Sequence, residues 1–78
     1  MTISTHTYRG YVFTIDYRPE PVAYQVDFPD IPQISTSGSM LTDAFANACE
    51  ALDLHLESLQ ELGKRLPKVK HRMVLEAK

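Results

Sequence analysis

Seventy-eight residues allow one domain with a thin core, and a hydrophobic fraction of 44% beside 23% charged residues is ordinary for a globular chain rather than a disordered one. A single cysteine, Cys49, excludes an internal disulfide and a cysteine-based zinc site. The net charge of −2 conceals an asymmetry: residues 1–62 hold two basic against nine acidic side chains, net −7, whereas residues 63–78 hold six against one, net +5. The first residues lack the basic start and apolar run of a signal peptide, and no apolar stretch approaches the roughly 20 residues that span a bilayer, so the expected address is the cytoplasm.

Taken in chain order, Tyr11, Phe13, Ile15 and Tyr17 alternate with Val12, Thr14 and Asp16, which predicts a strand over 8–17. Arg18-Pro19-Glu20-Pro21 breaks it, and a second strand follows with Tyr24, Val26 and Phe28 on one face and Gln25 and Asp27 on the other. Asp27-Phe28-Pro29-Asp30-Ile31-Pro32 cannot continue a central strand, because its prolines lack the N–H that a ladder requires. Gln33-Ile34-Ser35-Thr36 suits a short third strand, and Ser37-Gly38-Ser39 a turn.

Leu41, Phe45, Ala48, Leu52, Leu56, Leu59 and Leu62 then recur at three- and four-residue steps and predict a helix over 41–62 with one apolar stripe. Ser39 or Thr42 can cap its start, and Gly63 suits the left-handed position after its end. Val69, Met73 and Leu75 alternate with Lys70, Arg72 and Val74 in a final strand, interrupted in its polarity by His71. The expected architecture is α+β, in the order βββαβ, with Phe13, Ile15, Tyr24, Val26 and Phe28 facing the helix stripe.

The string Tyr24-Gln-Val-Asp-Phe-Pro-Asp-Ile-Pro32, then Gly38, then Ala44-Phe-Ala-Asn-Ala-Cys-Glu-Ala-Leu52 resembles the HicB antitoxin family. The likeness continues through Leu56-Glu57, Leu59, Gly63 and Leu66-Pro67. It departs where Pro32-Gln33-Ile34 replaces the usual Pro-Gly-Cys and where Gly38-Ser39-Met40 replaces Gly-Asp-Thr. The resemblance implies a truncated ribonuclease-H-like fold: a three-stranded antiparallel meander, a helix on one face, and a fourth strand beside the first. It also implies a protein that neutralises a small basic RNA-cleaving toxin of the HicA type by occlusion. Residues 1–78 are read as one such domain, its basic segment 63–78 including the last strand, without the DNA-binding domain that many family members carry.

Ribonuclease-H-like nucleases gather carboxylates around two metals, but Asp16 and Asp27 are expected to face away from the helix and Glu50 to lie on its outer side. No metal, cofactor or catalysis is therefore expected, and Asp16 is given Lys70 or Arg72 as its cross-strand partner. His6, His55 and His71 lack a short ligand spacing, and His55 and Cys49 read as structural. The segment holding Asp27, Pro29, Asp30, Ile31 and Pro32 is the candidate partner-binding loop, stiff enough to lose little entropy on binding and equally suited to a structural corner. The outer sheet face lacks aromatics for base stacking, which gives direct nucleic-acid binding little support. The basic tail can meet RNA or the acidic body of a neighbouring copy, and uncovered sheet edges predict a homo-oligomer. An oligomerising module with a different partner, or a metal-dependent nuclease, are the rival functions.

Overall fold

The computed structural model describes residues 3–70. Four antiparallel strands form one sheet in sequence order: β1 (Ile3–Tyr8), β2 (Tyr11–Pro19), β3 (Val22–Asp27) and β4 (Ser35–Gly38). The one helix among the described residues, α1 (Leu41–Glu61), packs on one face, giving the expected α+β architecture. The described residues add a strand that the hydrophobic pattern did not reveal. The strand expected over 8–17 forms as β2 from Tyr11 onward, but its start is a hairpin turn, because Arg9 and Gly10 turn back with φ of 53° and 85° and Tyr8 ends β1. Positive φ at both central residues matches the tight hairpin turn whose twist fits two strands. Ile3–Tyr8 is mostly threonine, serine and histidine, so it carries no apolar alternation, although its threonines favour extended backbone.

This N-terminal strand lies beside β2, with Ile3 opposite Asp16 and Tyr8 opposite Tyr11. The expected last strand falls mainly on residues 71–76, outside the described residues; Val69 and Lys70 belong to no strand. The break after β2 is shorter than expected, with Pro19 opposite Val22 and only Glu20 and Pro21 between them.

The third expected strand is displaced by two residues. Ile31 donates its N–H to the Phe28 carbonyl at 3.1 Å, and Ile34 to the Ile31 carbonyl at 3.1 Å. These two successive turns consume the chain through Ile34 and drop Phe28, Ile31 and Ile34 into the core at every third position. Pairing with β3 therefore starts only at Ser35, opposite Asp27, and ends with Gly38 opposite Tyr24.

Gly38 belongs to the strand rather than to the expected turn, and it sets the helix position. A Cβ there would lie 2.5 Å from the Ala44 backbone nitrogen, so only glycine lets the first turns of α1 rest directly on β4. Ala44 and Ala48 continue this close approach, and Leu52 and Leu56 complete the buried stripe. All four lie within the same core as Tyr11, Phe13, Ile15, Val26, Phe28, Ile31 and Ile34. Leu59 is half-buried, whereas Leu41, Phe45 and Leu62, expected in the stripe, are exposed. Their place at the margins follows from a ridge built on four-residue steps, which drifts around the helix relative to its 3.6-residue turn.

The helix start also departs from expectation. Met40 occupies the N-cap with extended backbone and no side-chain cap, while Ser39 Oγ donates to Asp43 Oδ2 at 3.4 Å. Asn47 Nδ2 instead ties the helix to β4 by donating to the Ser37 carbonyl at 2.9 Å. At the far end, Gly63 takes φ of 70°, donating to the Gln60 carbonyl while Lys64 donates to that of Leu59. That paired arrangement satisfies two terminal carbonyls and stops the helix where Gly63 predicted.

Replacing Gly38 with alanine is expected to lower unfolding stability by about 1–3 kcal/mol, because the helix must lift off β4 or the strand must bend. Urea denaturation checks it: the midpoint should fall clearly for Gly38→Ala and hardly move for Ser39→Ala.

Candidate functional site

The loop between β3 and β4 is both a structural corner and a clasp. Phe28 and Ile31 are 2% and 0% exposed, so Ile31, expected to face a partner, is instead a core plug. Asp27, Pro29, Pro32 and Gln33 are its exposed residues, and Asp30 is half-buried. Asp30 Oδ2 accepts the Lys70 backbone N–H at 2.7 Å, and the Tyr11 hydroxyl donates to the Pro67 carbonyl at 2.6 Å. The segment following the helix is thus held across the start of β2 and against the loop. The long sequence separation of these contacts, 40 and 56 residues, is why no local pattern announces them.

The carboxylates are dispersed, as the strand faces require. Asp16 lies on the sheet face away from α1 but is only 9% exposed, because β1 and β3 flank it. Its partner is Arg18, whose Nε donates to Oδ2 at 3.0 Å, in place of the expected Lys70 or Arg72. Arg72 lies outside the described residues, and Lys70 sits at Asp30. Asp16 Oδ1 is buried without a hydrogen-bond partner. Asp27 and Glu50 are exposed, the latter on the outer side of α1. Among the described residues no three His, Cys, Asp or Glu side chains converge as metal ligands would.

Asp53 has turned from the helix surface toward the first hairpin. It accepts from the Tyr8 hydroxyl at 3.0 Å and from Arg9 Nη1 at 3.0 Å, joining the middle of α1 to the corner formed by β1 and β2. The Arg9 pair is well exposed and so contributes at most about 1 kcal/mol. His6 stacks on Phe13 at 5.3 Å and meets the edge of Phe45 at 5.2 Å, filling the space between β1 and the helix. Cys49, half-buried, has its thiol pushed up by burial and further by Asp53, which leaves little thiolate for nucleophilic chemistry.

The remaining acids form the helix surface. Asp43, Glu50, Glu57 and Glu61 are exposed, and α1 contains no lysine or arginine. Glu57 and Glu61 stand near the negative end of the helix dipole, where each carboxylate costs a few tenths of a kcal/mol and a cation would be favoured. A separate apolar recess opens beside the helix start, lined by Ser4, Ile15, Tyr17, Tyr24 and Leu41. Sequence gives it no signal, since Ile15, Tyr24 and Leu41 read as ordinary core positions and Ser4 belongs to no apolar pattern.

The hydrogen bond to Asp53, with smaller help from desolvation and the nearby charge, raises the Tyr8 phenol above its ordinary value. A group whose folded value is raised stabilises the fold fully below its unfolded pKa, and the contribution is lost as pH rises through the folded value. In tyrosinate absorbance, the difference between wild type and Tyr8→Phe should therefore titrate above the ordinary tyrosine range, and Asp53→Asn should bring it back down.

No solved structure gives a significant match to the chain. A protein of Haemophilus phage HP1, described as an uncharacterized 14.9 kDa protein in the rep-hol intergenic region, is 40% identical over 45 residues. The match covers 58% of this chain and 34% of the phage protein, so the chain spans about a third of that relative's length. Residues 11–78, from the start of β2 onward, match the family described as HicB-like antitoxin of bacterial toxin–antitoxin systems. With the proline loop, the Gly38 contact and the Gly63 helix stop occupying the matched span, the chain belongs to the HicB-like antitoxin family.

Proposed function

We propose that this chain neutralises a small, basic, RNA-cleaving toxin of the HicA type by covering its active surface. Family membership gives the antitoxin role in a toxin–antitoxin system. The observation that supports the finer reading is the charge of the helix face: four exposed acids, no cation, and two of the acids retained where the helix dipole disfavours them. Such a surface steers a positively charged partner and speeds its encounter. The exposed side of the proline loop, Asp27, Pro29 and Pro32, is a rigid neighbour for the same partner because Phe28 and Ile31 are anchored beneath it.

The proposed action is binding without catalysis, in the cytoplasm where the toxin meets RNA. The dispersal of the carboxylates among the described residues favours this reading over a metal-dependent nuclease. Self-association through β1 and β4, the edge strands of the sheet among the described residues, is part of the proposal.

Co-expression with the toxin-like product of an adjoining reading frame should restore growth and yield a complex that purifies intact; failure of both removes the antitoxin role. Light scattering of the free chain should give a mass above the 8.9 kDa monomer, and a monomer at high concentration would remove self-association. RNA incubated with the chain and Mg²⁺ or Mn²⁺ should stay whole. Cleavage abolished by Asp16→Asn or Asp27→Asn would establish the nuclease instead.

A further inference from the structure

We infer that the recess at the start of α1 receives an apolar anchor side chain of the basic toxin; this rests on the antitoxin reading and specifies a surface that carries it. The helix runs diagonally over its sheet face. It begins above Gly38 of β4, and Asp53 reaches Tyr8 and Arg9 at the far corner. The opposite corner, where β1 starts, β2 ends and β3 begins, is left without helix cover. There Ser4, Ile15, Tyr17, Tyr24 and Leu41 enclose about 350 Å³, at the small end of ligand-sized pockets and suited to one aromatic or branched side chain.

The recess has the composition of a protein interface centre. Ile15, 2% exposed, forms the floor, and the paired rings of Tyr17 and Tyr24, 5.1 Å apart, form a wall. Leu41 is 46% exposed, and its chain neighbour Met40 is 60% exposed, although both begin the apolar side of the helix. Tyrosines with rigid apolar neighbours are the residues that concentrate binding energy when a partner excludes water from them.

Charge selects the occupant. Arg18, the cation nearest in sequence, points to the other sheet face and holds Asp16. The helix that supplies Leu41 to the recess carries exposed Asp43, Glu50, Glu57 and Glu61 and no lysine or arginine. An apolar hollow at the start of an acidic helix fits an apolar side chain flanked by lysine or arginine. A second copy docking through the same helix start would set one acidic helix against another, so at this recess a basic protein is favoured over self-docking.

The test titrates the full chain against the catalytically inactivated HicA-type toxin encoded beside it. Leu41→Ser and Tyr17→Ser should weaken binding about thirtyfold or more, and Leu54→Ser, at an exposed helix position outside the recess, should leave it unchanged. Circular dichroism verifies folding; Leu41 is exposed, so its variant remains informative if Tyr17→Ser unfolds. Wild-type affinity in the Leu41 variant, or an equal loss in the Leu54 variant, overturns the recess and leaves the antitoxin reading standing. A free dimer that Leu41→Ser splits with toxin affinity unchanged makes a second copy the occupant and also overturns it. Absence of toxin binding by the wild-type chain removes the antitoxin reading, and the inference with it.

Discussion

The contact between Gly38 and Ala44 is the constraint on which the rest of this structure depends. One hydrogen in place of a methyl lets the first turn of α1 rest on the edge strand, where any Cβ would meet backbone at 2.5 Å. With that end pinned and Asp53, in the middle of the helix, fastened to Tyr8 and Arg9, the helix has only a diagonal course across the sheet. At about 1.5 Å per residue, its 21 residues extend roughly 31 Å, enough to join the two corners and not enough to cover the other two. The exposed Leu41 and Met40 and the uncovered tyrosine pair are consequences of that geometry rather than defects in the apolar pattern.

The loop after β3 solves a second problem. A sheet covered by one helix leaves the end of its core open, and Phe28, Ile31 and Ile34 close it from one irregular segment. Prolines at 29 and 32 suit this path because neither has an N–H to satisfy, while Ile31 and Ile34 donate to carbonyls three residues back. The Asp30 and Tyr11 contacts then hold the following segment in place, so a loop that looks designed for display is largely occupied with anchoring. Its stiffness still has a use, since a fixed surface gives up little entropy when a partner arrives.

Charge and shape divide the labour of recognition. The acidic helix face acts over nanometres and affects encounter rates, whereas an apolar hollow acts only in contact and affects how long a complex lasts. Both lie on the helix side of the sheet. The far side is a polar field of threonine, serine and glutamine around the buried Asp16 and its exposed partner Arg18, with neither an aromatic platform nor a gathered set of metal ligands among the described residues.

Sequence by itself determined the helix, its glycine stop and the central antiparallel strands, because each is encoded by local periodicity or by a residue with special backbone freedom. It also determined the segregation of acidic body from basic tail and the family likeness, which depends on ordered short motifs. Only the tertiary structure decided that Ile3–Tyr8 is a strand: its side chains carry no hydrophobic period, and its partner, β2, supplies the pairing. Only the tertiary structure placed Ile31 inside, gave Asp16 to Arg18 and Asp30 to the Lys70 backbone, and split the apolar helix stripe into buried and exposed parts. The physical reason is common to all of these: burial and pairing depend on which distant segment arrives at a position, and a periodic pattern fixes the direction a side chain faces without fixing what covers it.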